Sequence, residues 1–476
     1  MKKISILNIV LVLGFILLGS SCTKDWEEMN TDPNSPTDAP YTNLLAHTLR
    51  MTGDQFFDDW QGMNNFLSYA GQVTKIQYID EARYKYREGV VNDRWTDYYT
   101  LLNDLKKMKS KAVAAERPKM EAVSEIYSCF LWLMATDQWK DIPYTEALQG
   151  DAEVENLNPA YDSQEAIYAD LITRLADANA KLNLPVNAAN PEDLGDGDVL
   201  FHGDFLKWQK FGNGLRLRIA MRISDVDAAG SAAIVSALEG QPMMESNDDN
   251  AFVYWEGVAP NKEPWMENSQ DRDDHGVAKT LIDKLVELGD PRLPVYAKVN
   301  AAGEYVGAVE GDTDDHMVPN DISRIGARFR DDAAGFTPLM RYSEVLFNLA
   351  EANMSVDYYN AGVTASMLEN GIEQDVIDQY LLDHPWDGTV ANIETLYVQK
   401  WIALFKQGQE VWAFSRRVDY PNLPCSVGSA YGDHGTQPVR YPYPTNEYNL
   451  NNANLVPHMT GIVDHFWGQK MWWDVN

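Results

Sequence analysis

Cysteine is nearly absent: Cys22, Cys129 and Cys425 are the only three in 476 residues. Cys129 lies in an apolar helical stretch and Cys425 in a Pro-rich turn. Two thiols so placed make neither a disulfide framework nor a metal site, and leave room for at most one bridge. Basic charge is also scarce, with 39 Lys and Arg against 71 Asp and Glu and a net charge of −32. Nucleic-acid binding needs a basic footprint, and this chain lacks one. The same balance argues against adhesion of the protein body to an anionic membrane surface. Familiar catalytic signatures are missing too. The chain has no phosphate-binding G-x-x-x-x-G-K-[ST], no G-x-G-x-x-G after a strand, no H-E-x-x-H and no G-x-S-x-G. Carboxylate pairs for glycoside hydrolysis have no sequence signature, so that chemistry stays open.

Aromatic residues are plentiful, with 14 Trp and 24 Tyr, enough to fill a core and still supply a stacking surface. A hydrophobic content of 45% and a mean hydropathy of −0.38 fit a water-soluble body.

Residues 1–21 read as a processing segment. Lys2 and Lys3 precede an apolar run over residues 4–18, shorter than the ~20 residues of a membrane span. Gly19, Ser20 and Ser21 then lead to Cys22, a pattern similar to a bacterial lipobox with Gly19 where Leu is usual. Cys22 is the expected lipidation site. The acidic run after it resembles an export signal for the outer leaflet of the outer membrane. Residues 22–40, rich in Pro, Asn, Asp and Ser, read as an extended tether, and residues 41–476 as a single domain.

Within that domain helical spacing dominates. Trp95, Tyr98, Tyr99, Leu102 and Leu105 share a face, as do Ile167, Leu171, Leu175, Ala178 and Leu182, with Asp162 or Ser163 as the N-cap. Phe205, Trp208, Phe211, Leu215 and Ile219 form another stripe. Beside it Arg216, Arg218 and Arg222 read as buried arginines that hold helices together. Residues 392–424 read as one long helix capped by Asn392, with Gly408 in its apolar face marking close approach of another backbone. Strand signals are brief.

The last of these stretches, KWIALFKQGQEVWAFSRRVDYPNL, resembles the C-terminal signature of the SusD/RagB family, most closely its SusD-like 2 branch. TDQWKDIPYTEALQG at 136–150, DVLFHGDFLKWQKFGNGLRLRIAMRISD at 198–225, Asp290 to Leu293, RYSEVLFNLAEA at 341–352 and RYPYPTNEYNLN at 440–451 follow in the family's order. The resemblance implies a mainly α fold: tetratricopeptide-like helix pairs in a superhelical core, overlaid by long loops with little β. It implies a non-catalytic, surface-facing lipoprotein of the outer membrane. Such a protein binds an oligosaccharide or peptide and delivers it, as a lid, to a TonB-dependent SusC-like barrel. A surface hydrolase using carboxylates and a helical scaffold without a ligand are the alternatives.

Candidate binding residues follow from position rather than from a family motif. Rings on helical stripes, such as Trp208 and Trp401, belong to the core. Rings in the aperiodic stretches 56–89 and 246–274 are the candidates: Trp60, Tyr78, Trp255 and Trp265, with Asn268 and Arg272 as hydrogen-bonding neighbours. No cofactor is expected. Acidic loops such as Asp312-Asp314-Asp315 suit a structural calcium ion in ligand type, but none completes the calcium-loop motif.

Overall fold

A computed structural model describes residues 39–150, 156–185, 188–313 and 317–476. The expected signal segment, Cys22, nearly all of the tether, and Asp314 and Asp315 lie outside those residues. The fold is mainly α, 55% helix against 6% strand.

The first half is a succession of helices: α1 (Tyr41–Phe56), α2 (Glu88–Ala114), α3 (Pro118–Trp139), α4 (Gln164–Leu182), α5 (Phe205–Ile223) and α6 (Ala228–Ala237). Each packs on the next in chain order, as in a tetratricopeptide-like stack. Residues 122–139 of α3 are buried on every face, the property of a helix at the centre of a bundle. The starts are local chemistry. Pro118 opens α3, where a missing N–H costs nothing. Ser163 caps α4 through Ala166 N, and Asp204 caps α5 through the amides of Leu206 and Lys207.

The second half holds α7 (Pro264–Asp271), α8 (Lys279–Glu287), α9 (Tyr342–Asn353), α10 (Val356–Glu369), α11 (Gln374–Asp383), α12 (Ile393–Ala403) and α13 (Gly408–Val418). Helix α9 packs on α5, α10 and α12, which joins the two halves. The stretch expected to be one helix is thus two. Lys406 breaks it with φ of 73°, and its Nζ reaches Glu263 Oε1 at 2.9 Å, both side chains being buried. Gly408 opens α13 rather than interrupting a helix. Its close approach is real, since a Cβ there would meet Gly62 O at 3.2 Å and Phe66 Cβ at 3.3 Å. Asn392 makes no cap bond and donates instead to Asp387.

Short antiparallel strand pairs fasten the loops: β1 (Val73–Lys75) with β5 (His275–Val277), β2 (Ile142–Pro143) with β3 (Tyr161–Asp162), and β4 (Ala251–Tyr254) with β6 (Phe336–Met340). Arg218 and Arg222 do hold helices together, through Glu344 and Glu410, whereas Arg216 is only half-buried. Cys129 is buried, Cys425 is half-buried, and both are free thiols.

Candidate ligand-binding surface

The stretch at 56–89, expected to be irregular, contains a nine-residue π-helix, Asp59–Leu67. Such wide turns are rare and often mark functional sites. Asp58 caps it: Oδ1 accepts from Gln61 N at 2.8 Å, and Oδ2 accepts from Arg94 Nη2 at 2.7 Å. The π-helix packs on α13 and α7, so its first turn is carried on the helical body. Asp59 Oδ2 accepts from Asn268 Nδ2 at 2.8 Å, tying that turn to α7. Burial raises the Asp59 carboxyl above its ordinary range, opposed by the charges of Lys75 and Arg94.

Trp60 follows and is 38% exposed. Lys75 Nζ stands 5.8 Å from its ring centre, within cation–π range, and is paired with Glu81 at 3.2 Å. Glu81 also accepts from Arg87 Nε at 2.8 Å. Tyr78, three residues beyond Lys75, is 65% exposed. Its φ of 52° is left-handed, a strain on the order of 1–3 kcal/mol that must be held by its surroundings. The holding is visible: Ile76 N donates to Asp274 O at 2.8 Å, and the Arg272 guanidinium lies 4.8 Å from the Tyr78 ring centre. Arg272 Nε is bonded to Asp274 Oδ2 at 2.9 Å. Behind this surface His275 is buried, its pKa pushed down to about 3 by desolvation, and its Nε2 lies 2.7 Å from Asn64 Oδ1.

Contacts through Asp59, Lys75 and Asp274 therefore connect the segments that carry Trp60, Tyr78, Asn268 and Arg272. Trp255 and Trp265, expected on accessible loops, are not there. Trp255 is 6% exposed, its Nε1 donates to Thr337 Oγ1 at 3.0 Å, and its ring fills the space beside Gly53. Trp265 is 1% exposed, with Nε1 on Phe57 O at 2.7 Å and Lys406 Nζ 4.7 Å from its ring. Both pin loops to the body. Sequence reasoning missed Lys75 and Asp59, which mount the rings, and Tyr254, which is 58% exposed. Strand alternation does not mark Tyr254, since Phe252, two residues earlier on the same face, is buried.

A stack of tetratricopeptide-like helices overlaid by long loops is the architecture of the SusD-like proteins. The family model SusD-like 2, described as starch-binding and associating with the outer membrane, matches residues 33–444, and the chain belongs to that family. Among solved structures, a chitin-binding protein is 27% identical over 92% of this chain and 100% of its own, with a TM-score of 0.80. A chitin-binding SusD homologue from Flavobacterium johnsoniae is 22% identical over 92% of this chain and 98% of its own, with a TM-score of 0.79. A SusD homologue from Bacteroides thetaiotaomicron is 23% identical over 92% and 100%, with a TM-score of 0.78. No curated protein matches the chain.

Proposed function

We propose that this protein is a non-catalytic glycan-binding lipoprotein of the cell surface. It is anchored in the outer membrane through Cys22, holds oligosaccharides on the surface built around Trp60 and Tyr78, and delivers them to a TonB-dependent SusC-like barrel. The observation that carries this reading is the mounting of the two rings. Each is exposed, and each is backed by a cation already paired with a carboxylate, Lys75 with Glu81 and Arg272 with Asp274. A ring held still has little entropy to lose when a flexible polymer settles on it. Cations already paired leave the surface without surplus charge, which suits a neutral sugar ring better than an acidic peptide. The structural relatives named as chitin-binding support a glycan in the same direction.

Calorimetry of the mature chain with chito- and malto-oligosaccharides, and with peptides of equal length, tests this. Expected is binding of one glycan series, weakened by Trp60→Ala and by Tyr78→Ala about 30-fold each, the effect of losing a hot-spot ring worth ~2 kcal/mol. Binding of peptides alone, or glycan binding untouched in both variants, would overturn it. Co-purification of a barrel with the tagged chain from mild detergent checks the partner.

A further inference from the structure

A second, separate cavity of about 280 Å³ lies at the start of α8, walled by Thr280, Ala308, Glu310, Leu423, Cys425 and Gln437. Its volume falls just below the ~300–1,000 Å³ of pockets for drug-sized ligands, so it suits one small molecule rather than a polymer. Its lining mixes aliphatic and polar side chains, and Glu310 shares the charged part of the wall with Lys279 and Asp283.

Glu310 is held from one side only. Its Oε2 accepts from Gln437 Nε2 at 2.7 Å. That amide cannot turn over: Nε2 also donates to Pro424 O at 2.9 Å, and Gln437 Oε1 accepts from Tyr84 OH at 2.6 Å. The Tyr84 oxygen in turn accepts from Ser426 N at 2.8 Å. The other carboxyl oxygen, Oε1, is buried and has no hydrogen-bond partner. Among the described residues no Lys, Arg or His pairs with Glu310, and Lys279 on the same wall is bonded to Asp283. Burial, opposed only by the Gln437 bond, pushes its pKa up to about 8. A buried carboxyl with one unmatched acceptor and no counter-charge fits a ligand that brings N–H donors and a positive charge. A metal ion is a poorer fit, since no group of three or more His, Cys, Asp or Glu side chains suited to one occurs among the described residues.

We propose that this cavity binds a small primary amine, with its ammonium group on Glu310 and its carbon body against Ala308 and Leu423. The site is separate from the Trp60–Tyr78 surface and does not depend on what that surface binds. At pH 7 Glu310 carries a proton, and an arriving ammonium ion favours the carboxylate. Binding therefore joins R–NH₃⁺ to Glu310–COO⁻ and releases that proton to solvent. Affinity rises with pH toward 8 and falls again where the amine itself loses its charge.

The test is calorimetry of the mature chain with n-propylamine, glucosamine and glucose, in buffers of different ionisation enthalpy. The first two probes share the ammonium group and separate an alkylamine from an amino sugar, and glucose lacks the amine. Binding of either amine with proton release of up to one equivalent, and none of glucose, is expected. Glu310→Gln should weaken amine binding at least tenfold while leaving oligosaccharide binding as it was. Occupancy should also slow alkylation of the half-buried Cys425, whereas Cys129 is fully buried. Failure of both amines to bind, equal binding by glucose, or undiminished binding to Glu310→Gln would overturn the proposal. If Glu310→Gln does not fold, protection of Cys425 in the unaltered protein decides: protection by an amine but not by glucose upholds the site, and any other pattern rejects it.

Discussion

Arg218 Nε and Nη2 stand 2.7 and 2.8 Å from the two carboxylate oxygens of Glu344, joining α5 to α9 in the interior. Glu410 of α13 extends the pair: its Oε2 is 3.3 Å from Arg218 and 2.6 Å from Arg222. Arg222 also faces Asp137 of α3 at 3.6 Å. Arg218 holds Glu344 below its ordinary range against the opposing effect of burial, whereas burial raises Glu410 in spite of Arg222 and Arg218.

Arg218→Met removes one cation and strands Glu344 in the core, while Glu410 keeps Arg222 at 2.6 Å. Breaking a buried pair from one side costs about 3–5 kcal/mol. Urea unfolding should show that loss as a lower midpoint with an unchanged slope. Adding Glu344→Leu should restore part of it, because an apolar pair leaves less charge unmatched. A single-variant loss below ~1 kcal/mol would mean that the pair is solvated.

How far the sequence disclosed this architecture depends on where the deciding partner lies. The stripe Ile167, Leu171, Leu175, Ala178, Leu182 and the Ser163 cap are settled within one helix, and the structure has both. Arg218 and Arg222 of α5 were readable because an acidic chain supplies carboxylates to buried cations, whereas Arg216 is half-buried and bonds Asn213. The break between α12 and α13 was not readable. Apolar spacing runs straight through it, and the break is enforced by Glu263, 143 residues from Lys406. The same holds for Trp255 and Trp265. Their segments lack a period, and what buries them lies 82 residues away at Thr337 and 208 residues away at Phe57. Trp60 sits in a π-helix, for which the ordinary 3.6 spacing gives no signal.

Trp265 and Trp60 should therefore respond in opposite ways to the same change. Trp265→Ala opens a cavity and leaves the Phe57 carbonyl without its donor, at a cost of about 3–5 kcal/mol. Trp255→Ala should be similar in kind and smaller, its Nε1 bond being to the Thr337 hydroxyl. Trp60→Ala removes a half-exposed ring and should leave the melting temperature close to that of the unaltered protein. Melting curves of the three variants, taken side by side, check this.

Glu310 makes the folded protein sensitive to alkali. Its folded pKa of about 8 lies above the ordinary carboxylate value of 4.5. Stability from this group is fully present below 4.5 and is lost as pH rises through 8, since the unfolded chain ionises first. The melting temperature should fall across that window, and Glu310→Gln should flatten this component of the fall. A curve of unchanged slope in the variant would assign the alkaline loss to other groups.

Cys22 carries the anchoring expectation, and its test is cellular. One acyl chain holds a protein to a bilayer only marginally, so stable attachment needs several chains on the same cysteine. Cys22→Ala should move the protein from the membrane fraction to the soluble fraction in cells that lack the partner barrel. Membrane retention of the variant in those cells would remove the lipid anchor from the account.

The contact between Arg272 and Tyr78 separates holding a ring from touching a ligand. The guanidinium lies 4.8 Å from the ring centre, and its Nε is committed to Asp274 at 2.9 Å. A cation over an exposed ring contributes about 0.5–1 kcal/mol. Arg272→Gln removes that hold and lets a ring at φ of 52° sample other positions. Oligosaccharide affinity should fall about two- to five-fold, far less than when Tyr78 itself is removed. In the Tyr78→Ala background the same substitution should change almost nothing, because the ring it steadies is gone. Equal and additive losses in both backgrounds would instead mean that Arg272 touches the ligand directly.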